Sequence, residues 1–296
     1  MLFFTSVIRC VNYNFVIMIH MTISNWLLGA SRNFALANID SARLDAELIL
    51  ARVLYVSREF LLAHPAQKLT KQQLFHANHL AHRRTKREPL AYILSRKEFY
   101  GREFFVNKTV LIPRPESEQL IEILREVIDG SFRESFPRIL DVGTGSGILA
   151  ITAKLEFPAA TVFASDISTA ALQIARQNAE NLDATVSFIK SDLLENISDK
   201  FDLILANLPY VSRNWQAEKT SPEITREPEI ALFADDDGLA LIKRLISQAP
   251  KNLRENSYLI LEMDPRQIQA VSDFAKNYGF REVRREPFAL ILRLKS

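Results

Sequence analysis

Apolar residues recur at helical spacing from Met21 to about Arg87, and this periodicity predicts a small bundle of helices. Its first helix is the amphipathic stretch from Ser24 to Ala35. Asp40 is placed to be the N-cap of a second helix, and Thr70 and Gln73 have the spacing of a capping box for a third. The apolar face predicted for the second helix consists of Leu44, Leu48, Ala51 and Leu54. Residues 21–87 are therefore expected to form a helical domain.

A different pattern follows in residues 88–116. Aromatic residues occur there in short alternating runs, and the segment ends on the stiff sequence Pro113-Arg114-Pro115. Alternation of this length predicts the strands of a β-hairpin, and a residue that precedes proline is held in an extended conformation. We therefore expect residues 88–116 to be a hairpin linker that ends in a Pro-flanked turn.

Residues 117–296 alternate strand-like apolar runs with helical ones. The predicted strands are residues 138–142, 161–166, 186–191, 201–206, 257–262, a run near 282, and 289–294. Strands separated by crossover helices form a mainly parallel, doubly wound α/β sheet. Ligands of such sheets bind at the carboxyl ends of the strands, so the residues that follow each strand are the place to look for chemistry.

The composition is that of a folded protein. Of 296 residues, 48% are hydrophobic and 24% are charged, which argues against a disordered or collagen-like chain. The net charge is only +2, so binding to nucleic acid through bulk charge is excluded and no direct nucleic-acid contact is expected. Cys10 is the only cysteine, which excludes an intramolecular disulfide and a cysteine-based metal site. A reducing cytoplasm is the expected compartment.

Residues 1–20 are apolar, but Arg9, Asn12 and Asn14 interrupt them, and the longest apolar run is Phe15 to Ile19. A membrane-spanning helix needs about 20 apolar residues, and a secretory signal needs an early positive charge and a small-residue cleavage site. We expect a disordered or mis-assigned extension upstream of Met21, with no membrane anchor. A mitochondrial presequence is the alternative.

Two polar clusters lie near the end of the helical domain. His76, His79 and His82 are spaced at i, i+3 and i+6, but the third is turned away from the first and no carboxylate accompanies them. A solvated or partner-facing helix is therefore expected, and no metal site. The basic run of Arg83, Arg84, Lys86 and Arg87 is interpreted as a solvated helix end, with contact to an acidic partner or RNA as the alternative.

Glycine is rare and concentrated. The chain has 8 glycines, where an average composition gives roughly 20, and Gly143, Gly145 and Gly147 follow the first predicted strand together with Thr144 and Ser146. Glycines at such a bend allow positive φ and close approach of a ligand. The spacing is G-x-G-x-G rather than the G-x-G-x-x-G of dinucleotide sites, which disfavours an NAD enzyme.

The next two strands end in acidic residues. Asp166, about 20 residues past the glycines, is placed to accept hydrogen bonds from ribose hydroxyls, and Asp192 and Leu193 are placed to frame an adenine ring. An adenosine-containing ligand with a carboxylate and no pyrophosphate fits all three strand ends. S-adenosyl-L-methionine is that ligand.

Asn207-Leu208-Pro209-Tyr210 follows the fourth predicted strand. An amide nitrogen is a poor nucleophile, so an enzyme that methylates one must hold both N–H bonds and aim the nitrogen at the methyl donor. The Asn207 side-chain oxygen and the Leu208 carbonyl are predicted to accept these hydrogens, with Asn207 also beside the cofactor. Pro209 stiffens the turn and Tyr210 packs on the planar group. The motif resembles the Asn/Asp-Pro-Pro-Tyr/Phe of class I methyltransferases that modify planar nitrogens.

The resemblance extends to the release factor glutamine methyltransferase family over nearly all of residues 21–296. The segments that carry it are Glu88 to Ile93, Leu111 to Glu118, Arg226-Glu227-Pro228, Asp237-Gly238-Leu239, and Leu261-Glu262 with Gln267. It implies a class I methyltransferase fold, with a doubly wound seven-stranded sheet joined by a β-hairpin to a small helical domain that docks the substrate. It also implies a cytoplasmic monomer that uses S-adenosyl-L-methionine to methylate the glutamine of the Gly-Gly-Gln motif in peptide-chain release factors.

Three positions depart from the family pattern. Leu208 replaces the first motif proline, Leu193 replaces an aromatic residue beside the adenine, and Asp264 stands at a usual glycine position. The alternatives are a ribosomal-protein glutamine methyltransferase, a nucleic-acid adenine-N6 methyltransferase, and a non-catalytic homologue that binds release factors.

Overall fold

The computed structural model describes residues 21–132, 136–217 and 221–295, so the extension predicted for residues 1–20 lies outside the described residues. The chain divides into two compact units, one ending at Leu94 and the other beginning at Ser95. The division therefore falls after Leu94, whereas the sequence pattern places it after Arg87. The reason is a short helix at residues 90–94 whose apolar side chains belong to the core of the first unit.

The first unit consists of helices. They are α1 (Ile23–Leu36), α2 (Ala42–Leu54), α3 (Arg58–Ala63), α4 (Lys71–Thr85) and α5 (Leu90–Leu94). The capping box predicted at α4 is present, since the Gln73 N–H donates to Thr70 Oγ1 at 3.2 Å and the Thr70 N–H donates to Gln73 Oε1 at 2.9 Å. His76, His79 and His82 are exposed on α4.

Two details predicted for α2 are wrong. The N-cap is Ser41 rather than Asp40, and it makes no side-chain capping bond. Leu44 is 40% exposed, whereas Ala46, Ile49 and Leu50 are fully buried. The buried face is rotated because α2 also buries two carboxylates, which the apolar periodicity does not record.

The three arginines of the basic run at the end of α4 form internal bonds, so the interpretation as a solvated helix end is wrong for them, whereas Lys86 is exposed as expected. Arg84 is 6% exposed and its Nε donates at 2.6 Å to Asp45 Oδ2, on an aspartate that is 2% exposed. Arg83 pairs with Glu88, and Arg87 donates to the carbonyl oxygens of residues 37 and 38. Arg84 thereby links α4 to α2, and its buried charge has the partner that it needs.

The second unit begins with the predicted hairpin. Strands β1 (Lys97–Phe99) and β2 (Arg102–Phe104) pair antiparallel across a turn in which Tyr100 and Gly101 both have positive φ. The hairpin is shorter than the segment predicted for it, because residues 90–94 are helical. Phe99 and Phe104 are buried and contact each other edge to face, which gives the hairpin its apolar side.

A seven-stranded sheet follows, as predicted, in the order β10-β11-β9-β6-β3-β4-β5. Its strands are β3 (Arg138–Val142), β4 (Thr161–Asp166), β5 (Ser187–Lys190), β6 (Phe201–Ala206), β9 (Leu253–Glu262), β10 (Phe280–Glu286) and β11 (Ala289–Leu294). The neighbours from β9 to β5 are parallel, and β11 is antiparallel to both β9 and β10. A separate short pair, β7 (Val211–Ser212) and β8 (Phe233–Ala234), lies outside the sheet.

The helices of this unit are α6 (Glu118–Ser131), α7 (Ile148–Glu156), α8 (Thr169–Asn181), α9 (Ala240–Asn252) and α10 (Ile268–Lys276). All six residues of β6 are buried. From Leu203 onward its residues alternate between two hydrophobic cores, with Leu203 and Leu205 in one and Ile204 and Ala206 in the other. This arrangement is expected for a central strand covered on both faces. The strand order reverses between β3 and β6, so their carboxyl ends open a crevice where ligands of such sheets bind.

Candidate active site

The glycine loop, residues 143–147, connects β3 to α7 at this crevice. Gly143, Gly145 and Gly147 have φ values of +75°, +56° and +86°, so the predicted need for positive φ is confirmed. An ideal Cβ on Gly147 would lie 2.8 Å from Ile151 Cδ1 and 3.1 Å from Ala175 Cβ. A side chain there would be strained by the positive φ and would press on Ala175 of α8, since protein interiors have little spare volume.

Asp141 is a buried carboxyl beneath the glycine loop. Its Oδ2 accepts hydrogen bonds from Thr144 Oγ1 at 2.6 Å and from the Ala150 N–H at 3.2 Å. Its Oδ1 is buried and has no hydrogen-bond partner among the described residues. Burial raises the pKa of Asp141 to about 7, although the bonds from Thr144 and Ala150 oppose this shift. The sequence pattern assigned Asp141 no role.

Asp166, at the end of β4, is oriented by backbone N–H groups. Gly145 donates to its Oδ2 at 2.9 Å and Ser168 donates to its Oδ1 at 2.8 Å. Burial raises the pKa of Asp166, and these backbone bonds partly compensate. The predicted ribose-binding residue is thereby tied directly to the glycine loop.

Asp192 and Leu193 follow β5. Leu193 is 6% exposed and adopts positive φ, an uncommon conformation for a leucine. Asp192 accepts a hydrogen bond at 3.0 Å from Arg244 Nη2, on α9. Arg244 was missed by the sequence analysis, because a lone arginine on an amphipathic helix carries no local signal of its partner.

The Asn207 turn, residues 207–210, follows β6. The Asn207 Nδ2 donates to Ser117 Oγ at 2.9 Å, and Ser117 is fully buried at the start of α6. This bond uses one of the two N–H groups of the Asn207 side-chain amide. Leu208 is buried against the glycine loop, where an ideal Cβ on Gly143 would lie 2.8 Å from Leu208 Cδ2.

Glu262 is the buried carboxyl behind this turn. Ala206 pairs with Leu261 in the parallel ladder, so the residues that follow each of them meet at the same sheet edge. Glu262 is 1% exposed, and its Oε1 accepts the Tyr210 hydroxyl at 3.3 Å. Burial raises the pKa of Glu262 to about 7, although hydrogen bonds from Ser117, Tyr210 and Asn207 oppose this shift. Burial also raises the pKa of Tyr210.

An ion pair closes the other side of the site. Arg114 Nη2 lies 2.5 Å from Glu227 Oε1, and Glu227 Oε2 accepts the Ile112 N–H at 3.0 Å. Glu227 is 5% exposed, whereas the Arg114 side chain is 34% exposed, so the carboxylate is buried and the guanidinium reaches solvent. Two segments far apart in the sequence, the Pro-Arg-Pro turn and the Arg226-Glu227-Pro228 loop, are joined by this pair.

These elements enclose a cavity of about 230 Å³. The predicted site residues that line it are Gly143, Thr144, Gly145, Ser146, Asp166, Asp192, Leu193, Asn207, Leu208 and Pro209. Gly147 and Tyr210 are not in its lining: Gly147 packs against α7 and α8, and the Tyr210 hydroxyl turns toward Glu262. The lining contains the carboxylates of Asp141, Asp166 and Asp192, and its two arginines are paired with carboxylates.

Within the part of the chain that the structure describes, no cluster of three or more metal-ligating side chains occurs. Across the same described residues, no helix combines the length and apolarity needed to cross a membrane.

The fold and the site define a class I methyltransferase. The sheet resembles that of the hMettl16 catalytic domain, solved in complex with a hairpin of the MAT2A 3′UTR, with a TM-score of 0.52, 17% identity, and coverage of 73% of this chain and 81% of that one. At this identity the similarity concerns the fold alone. Residues 25–94 match the model of the PrmC N-terminal domain, and residues 117–235 match that of the methyltransferase small domain.

The chain belongs to the release factor glutamine methyltransferase family. It is 40% identical over 246 residues to the release factor glutamine methyltransferase of Koribacter versatilis, covering 82% of this chain and 86% of that protein. It is also 37% identical over 268 residues to a bifunctional methyltransferase of Rickettsia bellii, covering 82% of this chain. The chain spans only 48% of that longer Rickettsia protein.

Proposed function

We propose that this chain transfers a methyl group from S-adenosyl-L-methionine to the side-chain amide nitrogen of the glutamine in the Gly-Gly-Gln motif of peptide-chain release factors. The observation that carries the proposal is the hydrogen bond from Asn207 Nδ2 to Ser117 Oγ. It directs the Asn207 side-chain oxygen, an acceptor, toward the cavity at the strand end where a planar amide would have to be held. The names of the family members support the same substrate.

Several features of the cavity support the proposed methyl donor. Gly143, Gly145 and Gly147 have no side chain that would keep a nucleoside away from the backbone of the loop. Two backbone hydrogen bonds hold Asp166 at the neighbouring strand end. Asp141 Oδ1 is an unpartnered buried acceptor. A carboxylate-rich lining with paired arginines favours a cationic sulfonium and disfavours a pyrophosphate. When bound, S-adenosyl-L-methionine supplies an electrophilic methyl group.

The residues of the Asn207 turn perform the recognition. The Asn207 oxygen and the Leu208 carbonyl accept the two N–H groups of the substrate amide, which turns its nitrogen toward the methyl carbon. The nitrogen lone pair forms the new N–C bond while the C–S bond breaks and its electrons return to sulfur, giving S-adenosylhomocysteine. The methylated nitrogen then loses one of its two protons to water, which restores the neutral amide. Pro209 limits the freedom of the turn, and Tyr210, anchored on Glu262, supports it from behind.

We place this activity in the cytoplasm and assign it to a monomer, with release factors as partners. In this proposal the helical unit docks the release factor, and the α/β unit carries out the methyl transfer.

The test is a methyl-transfer assay with labelled S-adenosyl-L-methionine and an unmethylated release factor, run beside a release factor whose Gly-Gly-Gln glutamine is replaced. Asn207→Ala is expected to reduce transfer about 10²-fold, since a misplaced acceptor loses the benefit of orientation. Asn277→Ala removes the same kind of side chain from an exposed position and serves as the matched control. Label on the altered release factor, or full activity of Asn207→Ala, contradicts the proposal.

The other assignments predict different results. Label that appears on a ribosomal protein or on nucleic acid, with none on release factor, identifies one of the other methyltransferase functions. Cofactor binding without transfer to any of these acceptors identifies a non-catalytic homologue.

A further inference from the structure

Gln267 is a buried residue outside the lining of the cavity. Its side chain connects the Asn207 turn to the backbone at Asp237 and at Asp264. Its Nε2 donates to the Tyr210 carbonyl at 2.8 Å and to the Asp237 carbonyl at 2.9 Å. Its Oε1 accepts the backbone N–H of Asp264 at 3.2 Å. The side chain is 4% exposed, so water cannot replace these bonds without a rearrangement.

The chemistry of the partners fixes the orientation of this amide. The two carbonyl oxygens can only accept, and the Asp264 N–H can only donate. Rotating the amide by half a turn would place its oxygen against two carbonyls and its nitrogen against a donor. Gln267 is therefore a three-way connector that only a side-chain amide of this length can provide.

The space around this connector is fully used. Gly238 has φ of +86°, and an ideal Cβ on it would lie 2.0 Å from the Tyr210 carbonyl oxygen and 2.5 Å from Gln267 Nε2. The backbone at Gly238 thus lies so close to the Asn207 turn that only glycine fits at this position. Tyr210 is held at both ends, its hydroxyl by Glu262 and its carbonyl by Gln267.

We propose that Gln267 is a positioning residue for methyl transfer, which fixes the backbone of the Asn207 turn so that the Asn207 oxygen and the Leu208 carbonyl hold the substrate amide at the correct angle. This inference rests on the proposed function and adds to it a residue that acts through the turn, without touching substrate or methyl donor. The glycine loop and Asp166, which bind the nucleoside, are not among the partners of Gln267.

The experiment compares Gln267→Glu and Gln267→Met with Gln269→Glu in the full chain. Gln267→Glu keeps the shape and the acceptor for Asp264 but removes both donors. Gln267→Met keeps the length and removes all three bonds, and it repeats the test if the carboxylate prevents folding. Gln269→Glu makes the same chemical change on an exposed residue two positions further along the chain. The readouts are kcat on release factor, the Kd for S-adenosyl-L-methionine, and the pH profile.

We expect both Gln267 variants to lower kcat at least about tenfold, with the Kd changed by less than about twofold and Gln269→Glu close to wild type. Only a protonated carboxyl can donate to a carbonyl, so the activity of Gln267→Glu relative to wild type should rise as the pH falls. A loss of fold alone would lower affinity and rate together in both Gln267 variants, and the pH-insensitive Gln267→Met would recover no activity at low pH.

Two results overturn the inference. The first is transfer by the wild type together with an unchanged kcat in both Gln267 variants. The second is a fall in kcat that is matched by an equal loss of cofactor affinity. Each contradicts the positioning role of Gln267 and leaves the proposed function intact. If wild type itself transfers no methyl group to release factor, the proposed function fails, and the role of Gln267 in that reaction fails with it.

Discussion

Gly143 and Leu208 are in direct contact at the floor of the cavity: an ideal Cβ on Gly143 would lie 2.8 Å from Leu208 Cδ2. The glycine loop and the Asn207 turn therefore meet where the strand order of the sheet reverses. Leu208 stands at the position of the first proline in the family motif, and its side chain covers the glycine backbone.

This contact predicts energetic coupling between Gly143→Ala and Leu208→Ala. Gly143→Ala introduces both positive-φ strain and the close contact, whereas Gly145→Ala introduces the strain alone, because its Cβ would meet nothing within 4 Å. Strain of this kind costs about 1–3 kcal/mol. We expect Gly143→Ala to cost more than Gly145→Ala in wild type and a similar amount in the Leu208→Ala background. A double-mutant cycle on thermal unfolding measures the difference, and additive effects would refute the coupling.

Ser117→Ala should lower kcat by up to about tenfold, which corresponds to one net hydrogen bond. The substitution removes the acceptor that orients Asn207 Nδ2, so the side-chain amide can rotate and present its nitrogen to the substrate. Ser187→Ala, at an exposed position of β5, is the control. Steady-state rates on release factor at saturating methyl donor provide the measurement, and a kcat equal to that of the control would show that Asn207 needs no such partner.

Glu262 predicts a specific pH dependence of stability. Its pKa in the folded chain is about 7, above the ordinary value of 4.5, so the folded state binds the proton more tightly than the unfolded state between these values. The stabilisation by this proton is complete below about pH 4.5 and is lost as the pH rises through about 7. Glu262→Gln should therefore gain stability relative to wild type between pH 5 and about pH 8.

Urea unfolding of wild type and Glu262→Gln at a series of pH values tests this prediction. Asp141, whose pKa is also raised to about 7, is present in both proteins, so the difference between them isolates Glu262. A difference that stays constant over this pH range would mean that Glu262 is already charged in the folded state at low pH.

Asp141→Asn should weaken the binding of S-adenosyl-L-methionine more than that of S-adenosylhomocysteine, because only the former carries a cationic sulfonium. Wild-type affinity for the cation should rise with pH through about 7, as Asp141 becomes charged, and the variant should lack that component. Calorimetric titration with both ligands at several pH values is the measurement. Equal losses for the two ligands would exclude charge attraction as the contribution of Asp141.

In the helical unit, replacing either member of the Asp45–Arg84 pair should cost about 3–5 kcal/mol, since each single change leaves an uncompensated buried charge. The double variant Asp45→Asn with Arg84→Met should cost less than either Asp45→Asn or Arg84→Met alone. Trp26, which is buried in this unit, reports its unfolding by fluorescence when Trp215 is replaced by phenylalanine. A double variant as unstable as the sum of the two single variants would show that the pair is not coupled.

The strands could be predicted well because their signal is local. Residues 138–142, 161–166, 201–206 and 289–294 have the same bounds in the sequence prediction and in the structure. The first three are largely apolar runs that end on, or directly before, a polar or turn-forming residue. Burial on both faces of a parallel sheet requires such runs. The glycine loop was predicted for the same reason, since positive φ is a property of single residues.

The supporting residues could not be predicted, because their roles depend on partners far away in the sequence. Ser117 meets Asn207 only after α6 and β6 are packed, and Gln267 reaches Tyr210 only through the neighbouring positions of β6 and β9. Arg84 was misjudged for the same reason: its partner Asp45 lies on another helix. The sequence around a polar residue does not show whether its side chain will be buried with a partner or exposed to solvent.

The strand order also has a consequence for synthesis on the ribosome. Strand β11 lies between β9 and β10, although both precede it in the chain. During translation β9, which ends at Glu262, has an open edge until Leu294 has left the ribosomal tunnel, and unpaired edges of this kind promote association between chains. A nascent chain that stalls between β10 and β11 would already contain the glycine loop and the Asn207 turn, yet it would be a candidate for chaperone binding rather than for catalysis.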